Sequence, residues 1–348
     1  MKLISLTLTG NNEALIGDAI QSVVGWVDQC LVIDTGVTDR SLEVARRVAG
    51  DKYVERKFPW VRDFSAARNF ALDAAHELGA DWAINVDTDE RIELRGEELR
   101  QLCEKAPEGV LMMFDGTHTY AKERVFRLPI RVRYTGPTHE AYEAFKVGAK
   151  TLEKARFVEL PKTPEEYRRK FERDVDILSE FTGKHPDSAR YFYYLGDSLQ
   201  NLGRQEEAVV AYRRCAALRG WNEESAWACY RCAEALLQLK RPRDAIDECA
   251  AGLARHAGIA ELAWLAGFAA WQLGDAEQCV FWALMAVPMG QYKGNFKLAR
   301  RISFRNPAAL YEGPYDLLRF ALRRLGDAAG ADEAERHYQQ ALAARTGK

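Results

Sequence analysis

Two aspartates one residue apart, Asp87 and Asp89, followed at once by Glu90, are where residue types and spacing in this chain invite chemistry. Two carboxylates so spaced can present oxygens to one hard divalent cation, which usually completes its shell with substrate phosphates. The expectation is that Asp87-Thr88-Asp89 holds a metal and the metal holds a diphosphate. The plainer alternative for an Asp-x-Asp is a solvated loop or a helix cap. Position favours the first reading. Trp82 to Val86 is a short, apolar, β-branched run that reads as a buried strand. Carboxylates just past the carboxyl end of a strand stand where open α/β sheets bind ligands.

The elements before this stretch alternate. Leu3 to Leu8 reads as a first strand, broken by Thr9-Gly10-Asn11-Asn12. Glu13 to Val27 has apolar residues at helical spacing. Cys30 to Ile33 is a second strand, Ser41 to Val48 a helix, Tyr53-Val54 a short third strand, and Asp63 to Leu78 a longer helix. Strand–helix alternation predicts a parallel sheet with helices on its faces. Polar clusters then collect at the carboxyl ends of its strands: Asn12 and Glu13, Asp34 and Asp39, then Asp87, Asp89 and Glu90. Asp39 before Ser41 also fits a helix N-cap. Arg68 falls in the first turns of its helix, where the dipole does not favour a cation. It is better placed beside a bound anion, which the helix N-terminus also attracts; the alternative is a surface pair with Asp63.

After the acids the pattern changes. Val110 to Phe114 reads as a strand. Arg124 to Leu128 and Arg131 to Tyr134 alternate like a hairpin, which ends in Gly136-Pro137-Thr138-His139-Glu140. His139 is a candidate third metal ligand and Glu140 a candidate base, against the plainer reading of hydrogen-bonded residues at a strand end.

These motifs together resemble a family 2 glycosyltransferase of the GT-A fold, in the group often followed by tetratricopeptide repeats. The carrying residues are Asn11-Asn12-Glu13, Asp34 to Ser41, Asp63-Phe64-Ser65-Ala66-Ala67-Arg68-Asn69, Asp87-Thr88-Asp89-Glu90 and Gly136 to Glu140. The resemblance implies an α/β, Rossmann-like nucleotide-sugar-binding sheet. It implies that Leu8, Asn12, Glu13, Asp34 and Asp39 border the nucleoside and that Arg68 meets the diphosphate side. Asp87 would touch the ribose or the metal. Asp89 would bind Mn2+ or Mg2+, with His139 as a further ligand. The family inverts, so one carboxylate should deprotonate the acceptor, with Glu140 first and Glu90 second. The chain departs from the family pattern at Asn11, in place of Lys, and at Val37 and Arg40, in place of Ser and Gly.

Composition fits two soluble domains. The chain has 348 residues, 47% hydrophobic and 29% charged, with a net charge of -2. That balance shows no bulk basic excess for nucleic acid or an anionic membrane, although Arg40, Arg46, Arg47, Arg56, Lys57 and Arg62 supply local positive charge. No apolar run reaches the roughly 18 residues of a membrane span, and the start does not read as a signal peptide. Seven Cys scattered through apolar stretches read as buried thiols in the cytoplasm. Cys229 and Cys232 are expected to be packed helix cysteines rather than a zinc pair.

The domains are expected at 1–160 and 161–348, with Pro161 and Pro164 at the boundary. Beyond it, Tyr194-Leu195-Gly196-Asp197 with Ala208 and Tyr212 begins a repeat of small and aromatic residues. It recurs at Cys232-Ala233-Glu234, at Leu265-Ala266-Gly267 and, degenerately, at Leu322 to Gly326. This is the tetratricopeptide pattern, an all-α superhelix. Tyr191, Phe192, Tyr193, Tyr194, Trp221 and Trp227 would line its concave face or, more simply, its inter-repeat core.

The whole reads as a metal-dependent, inverting hexosyl- or pentosyltransferase using a nucleotide-sugar, a UDP-sugar first. Its acceptor would be peptide or protein, envelope glycan or nucleic acid. The helical domain would recruit that acceptor or form a homodimer. The rival is a repeat scaffold whose first domain binds a nucleotide-sugar without efficient turnover. A nucleotidyltransferase would need a Gly-rich phosphate loop that Thr9 to Asn12 does not supply.

Overall fold

The computed structural model describes residues 1–94, 96–106, 109–116, 120–142, 148–293 and 305–347. The chain divides into two compact units, Met1–Pro164 and Glu165–Lys348.

The first unit is built on an eight-stranded sheet. In chain order its strands are β1 (Leu3–Thr9), β2 (Gln29–Asp34), β3 (Tyr53–Lys57), β4 (Trp82–Asn85), β5 (Glu90–Glu93), β6 (Val110–Asp115), β7 (Ala121–Arg127) and, after a separate pair, β10 (Lys150–Glu159). In space they run β3-β2-β1-β4-β7-β6-β10-β5. The first four in that order are parallel, and β7 is antiparallel to both β4 and β6. The strands of the alternating stretch, β1 to β4, are thus parallel as the alternation predicts, and the sheet becomes mixed beyond them. Beyond β4 the helical crossovers that parallel pairing needs largely give way to direct strand connections, which favour antiparallel pairing.

Both faces are covered, so the central strands are apolar on both sides. Leu3, Val32 and Ile84 pack with α1 (Ile16–Gln21), α2 (Ser41–Ala49) and α4 (Gly96–Glu104). Ile4, Leu6, Leu31 and Ile33 pack on the other face against Ala71, Leu72 and Ala75 of α3 (Phe64–Glu77). Leu72 is fully buried, a burial that contributes about 2 kcal/mol. α1 is shorter than the expected Glu13–Val27: the β-branched Val23 and Val24 and Gly25 are poor helix formers, and the chain passes into turns. The expected hairpin of Arg124–Leu128 with Arg131–Tyr134 does not form. β7 is used up between β4 and β6, and Pro129 lacks the N–H that a ladder needs. Instead β8 (Tyr134–Thr135) pairs with β9 (Ala141–Tyr142), so the hairpin closes around Gly136 to Glu140.

The second unit is helical. A long α5 (Pro164–Lys184) precedes pairs α6 (Ala189–Asn201) with α7 (Gln205–Leu218), α8 (Asn222–Gln238) with α9 (Pro242–Arg255), and α10 (Ala260–Gln272) with α11 (Ala276–Met289). A short α12 (Pro307–Leu310) leads to the last pair, α13 (Gly313–Arg324) with α14 (Ala328–Thr346). Much of the irregular stretch expected between Pro288 and Pro314 lies outside the described residues. Each pair turns on one residue of positive φ: Gly203, Lys240, Gly274 and Gly326. Small residues let the helices approach: a Cβ on Gly196 would lie 2.7 Å from the Tyr212 ring. Tyr193 and Trp227 belong to the core, with Tyr191, Phe192 and Tyr194 half-buried against it. All seven cysteines are free and buried. No helix among the described residues is long and apolar enough to cross a membrane.

Candidate active site

The loops after β1 and β2 are knitted to each other. The Asn11 amide oxygen accepts the Thr38 and Asp39 N–H groups at 2.8 and 3.2 Å. The Asn12 N–H donates to Ser41 Oγ. Asp34 accepts the Gly36 and Val37 N–H groups at 2.9 and 2.8 Å, which shapes the turn at Gly36, where φ is +115°. Asp39 accepts from the Glu13 and Ser41 N–H groups. Glu13 is paired with Arg40 at 3.2 Å, so two of the departures from the family pattern, Asn11 and Arg40, tie this edge together. Leu8 is half-buried at the end of β1. The expected nucleoside-binding residues thus form one structured rim.

Arg68 is the hub of the site. Its Nη1 and Nη2 donate to the two Asp87 oxygens at 2.9 and 3.0 Å, and its Nε donates to Glu140 at 2.5 Å. The guanidinium lies over the Tyr134 ring, 5.7 Å from its centre. Asp63 is not its partner. Asp63 is the N-cap of α3 and accepts the Ala66 N–H at 2.9 Å. A bidentate fork to one carboxylate and a third bond to another use the planar geometry that Arg alone offers. Three motifs distant in sequence, Asp63–Asn69, Asp87–Glu90 and Gly136–Glu140, meet on this one side chain. Asn69 reinforces the junction by bonding the Tyr134 backbone in both directions.

The electrostatics separate the acids. Burial pushes the Asp87 carboxyl up, but the Arg68 and Arg124 guanidiniums outweigh it and hold the group well below the usual carboxylate range. Glu90 is pushed up to about 7 by burial and by the Asp87 charge, against the pull of Arg124. Glu90 is only 2% exposed and ion-paired with Arg124; its Oε2 and Arg124 Nε are buried without a hydrogen-bond partner. As an expected second base Glu90 is sealed from an acceptor, because Arg124 and the strands cover it. Glu140 keeps 15% of its side chain exposed. His139 is exposed on the β8–β9 loop at φ +49°, a left-handed conformation sparsely used by non-glycine residues.

The expected metal ligands differ in what they offer. Both Asp87 oxygens are taken by Arg68. Asp89 does accept a cation: the Lys162 ammonium stands 2.5 Å from its Oδ2 and serves as a stand-in ion. Its carboxylate therefore fits a metal, while Asp87 as placed does not. Among the described residues no group of three or more His, Cys, Asp or Glu side chains is gathered to hold an ion.

Sequence reasoning missed Lys162, Arg124 and Lys122. Lys162 lies just past Pro161, where the sequence suggests a linker, yet it falls in the first unit. Arg124 sits on β7 and reaches Asp87 and Glu90 only through pairing with β4; its alternation in a charged strand was the one signal available. Of the six local cations, Arg40 and Arg46 are ion-paired with Glu13 and Glu55.

Comparison with known proteins fits this geometry. Residues 7–151 match the family model described as Glycosyl transferase family 2. A TPR repeat-containing protein of Synechococcus elongatus is 34% identical over 149 residues, covering 40% of this chain and 35% of that protein. An uncharacterized glycosyltransferase of Rickettsia prowazekii is 22% identical over 205 residues, covering 58% and 63%; one of Rickettsia typhi is 29% identical over 91 residues, covering 26% and 29%. The chain thus spans about a third of the length of the first two relatives named here that it matches at 29% identity or more. Among solved structures, MamA is 14% identical with a TM-score of 0.42, covering 54% of this chain and 99% of MamA. Residues 1–349 of S. aureus TarS are 14% identical with a TM-score of 0.41, covering 79% and 92%. Residues 7–151 are thus similar to family 2 glycosyltransferases and carry a GT-A-like mixed sheet, and a unit of paired helices with a tetratricopeptide-like pattern follows.

Proposed function

We propose that the first unit moves a hexose or pentose from a nucleotide-sugar, a UDP-sugar first, to an acceptor hydroxyl with inversion. The observation that carries this reading is the meeting of Asp87 and Glu140 on Arg68 at the carboxyl edge of the sheet. There the loops bearing Asn12, Glu13, Asp34 and Asp39 border a nucleoside, and Asp87 orients Arg68 toward the diphosphate side. Glu140, the more exposed of the two candidate bases, takes the acceptor proton as the acceptor oxygen bonds to the sugar carbon and the nucleoside diphosphate leaves. Mn2+ or Mg2+, held by Asp89 with His139, would supply Lewis-acid stabilisation of the leaving diphosphate. The helical unit would present a peptide or protein acceptor along its repeats.

The test is a thermal-shift panel of nucleoside diphosphates with and without Mn2+, on wild type, Asp89→Ala and Glu140→Gln. A bound nucleotide raises the melting temperature by mass action. The reading expects one nucleotide to stabilise wild type and Glu140→Gln, and Asp89→Ala to lose the shift. No shift with any nucleotide removes the donor site. A second reading, a nucleotide-sugar-binding scaffold with weak turnover, draws on both candidate bases being held in ion pairs. Donor hydrolysis by wild type, lost in Glu140→Gln, decides against it.

A further inference from the structure

Two ion pairs flank the acidic loop, and they differ in one physical respect. Arg124 and Glu90 are sealed, with side-chain exposures of 4% and 3%. Lys162 and Asp89 are open to water, at 25% and 33%. An ion pair that water reaches is weak and exchanges readily. The backbone fixes where this one forms. The Leu160 N–H donates to the Asp89 carbonyl at 2.8 Å, so the chain leaving β10 is pinned to the acidic loop and delivers Lys162 onto Asp89 two residues later. Lysine is a compact charge on a flexible four-carbon stem and can swing without moving the backbone.

Charge decides what the pair is for. The ion pairs linking this edge among the described residues join four cations, Arg68, Lys122, Arg124 and Lys162, to five carboxylates, Asp87, Asp89, Glu90, Glu140 and Glu159. The set carries no positive excess for a diphosphate. Further positive charge must arrive with the donor, and within the acidic loop Asp87 to Glu90 it is Asp89 whose partner is a water-exposed lysine rather than a buried guanidinium.

We propose that Lys162 is a placeholder cation on Asp89. A divalent ion arriving with a nucleoside diphosphate takes its place, and the released ammonium turns to the phosphate. The lysine keeps Asp89 satisfied while the site is empty and adds a fixed charge once it is filled. This rests on the donor-site reading above, and it predicts that the lysine and the metal compete.

The experiment is a titration of the full chain with Mn2+ alone, read by the electron paramagnetic resonance signal of free Mn2+, and repeated with UDP, GDP or CDP. Wild type, Lys162→Ala, Lys162→Gln and Asp89→Asn are compared. Without nucleotide, both Lys162 variants should bind Mn2+ about fivefold more tightly than wild type, the factor that an open ion pair of about 1 kcal/mol supplies. Asp89→Asn should bind none at this site. With the diphosphate that binds, the advantage of the variants should shrink, because wild-type lysine then gains a phosphate partner. Equal Mn2+ affinity in wild type and both Lys162 variants overturns the placeholder. If a nucleotide still binds in that case, only this inference falls. If neither Mn2+ nor any of the three nucleotides binds any variant, the donor-site reading falls with it.

Discussion

Glu90 and Asp87 sit side by side and titrate in opposite directions. Glu90 keeps its proton to about pH 7, against an ordinary 4.5. The folded state then binds more protons than the unfolded state between those values, so stability falls as pH rises through that window, by on the order of 3 kcal/mol. Asp87 behaves conversely: its folded-state pKa is depressed, and its contribution is complete above its ordinary 3.8 and lost only as pH falls below it. Of these two neighbours, only Glu90 contributes a slope between pH 4.5 and 7. Urea melts of Glu90→Gln should lose that slope relative to wild type, and an unchanged slope would assign it elsewhere. Arg68 is the complementary case. Arg68→Ala strands two partly buried carboxylates and should cost about 2 to 3 kcal/mol. Adding Asp87→Ala should cost much less than the sum of the single changes, because one interaction is removed twice. A double-mutant cycle that sums additively would mean the fork contributes nothing to stability.

Elements set where those residues stand, and their caps and turns can be tested separately. Asp63 closes the first turn of α3 through the Ala66 N–H and also accepts the Ser65 hydroxyl. Asp63→Ala should lower stability by about 1 kcal/mol and loosen the helix that presents Arg68. Among the four helix-pair turns of the second unit, Lys240 holds φ +60° where the others place glycine. Lys240→Gly should raise stability by about 0.5 to 1 kcal/mol, since glycine alone adopts that conformation without a Cβ penalty; a lower melting temperature would contradict it. Elements of this kind were legible in the sequence, because strands, caps and small-residue repeats announce themselves locally. The early strands, the helix with Arg68 and the repeated helix pairs follow from Leu3–Leu8, Asp63–Leu78 and Gly196–Tyr212. What local pattern could not show was partnership. The mixed order around β7 depends on pairing between distant strands. Arg124 and Lys162 reach the acids only through that pairing, and an acid that reads as a metal ligand, Asp87, is instead met by a guanidinium from another motif.

At the scale of the whole molecule, each unit has its own apolar core: two clusters cover the faces of the sheet, and others fill the helix pairs. Every hydrogen-bonded partner described for the acidic site comes from the first unit, from Arg68 to Lys162. Stability of the helical array and chemistry of the site should therefore respond to different substitutions. Gly196 separates them. The Tyr212 ring that a new methyl would meet is fully buried, and its hydroxyl donates to Asp197 at 2.8 Å. The ring has little room to retreat, so Gly196→Ala should destabilise the helical unit by about 1 to 3 kcal/mol through overpacking. In calorimetry of the full chain one transition should move to lower temperature while the other stays. Nucleoside diphosphate affinity, measured below both transitions, should equal that of wild type. If affinity falls together with the helical transition, the array does more than fold on its own and contributes to nucleotide binding. If only the transition moves, a role for the repeats must be sought in how they engage the acceptor or a second copy of the chain, and turnover with a peptide acceptor becomes the measurement on which Gly196→Ala and wild type should differ.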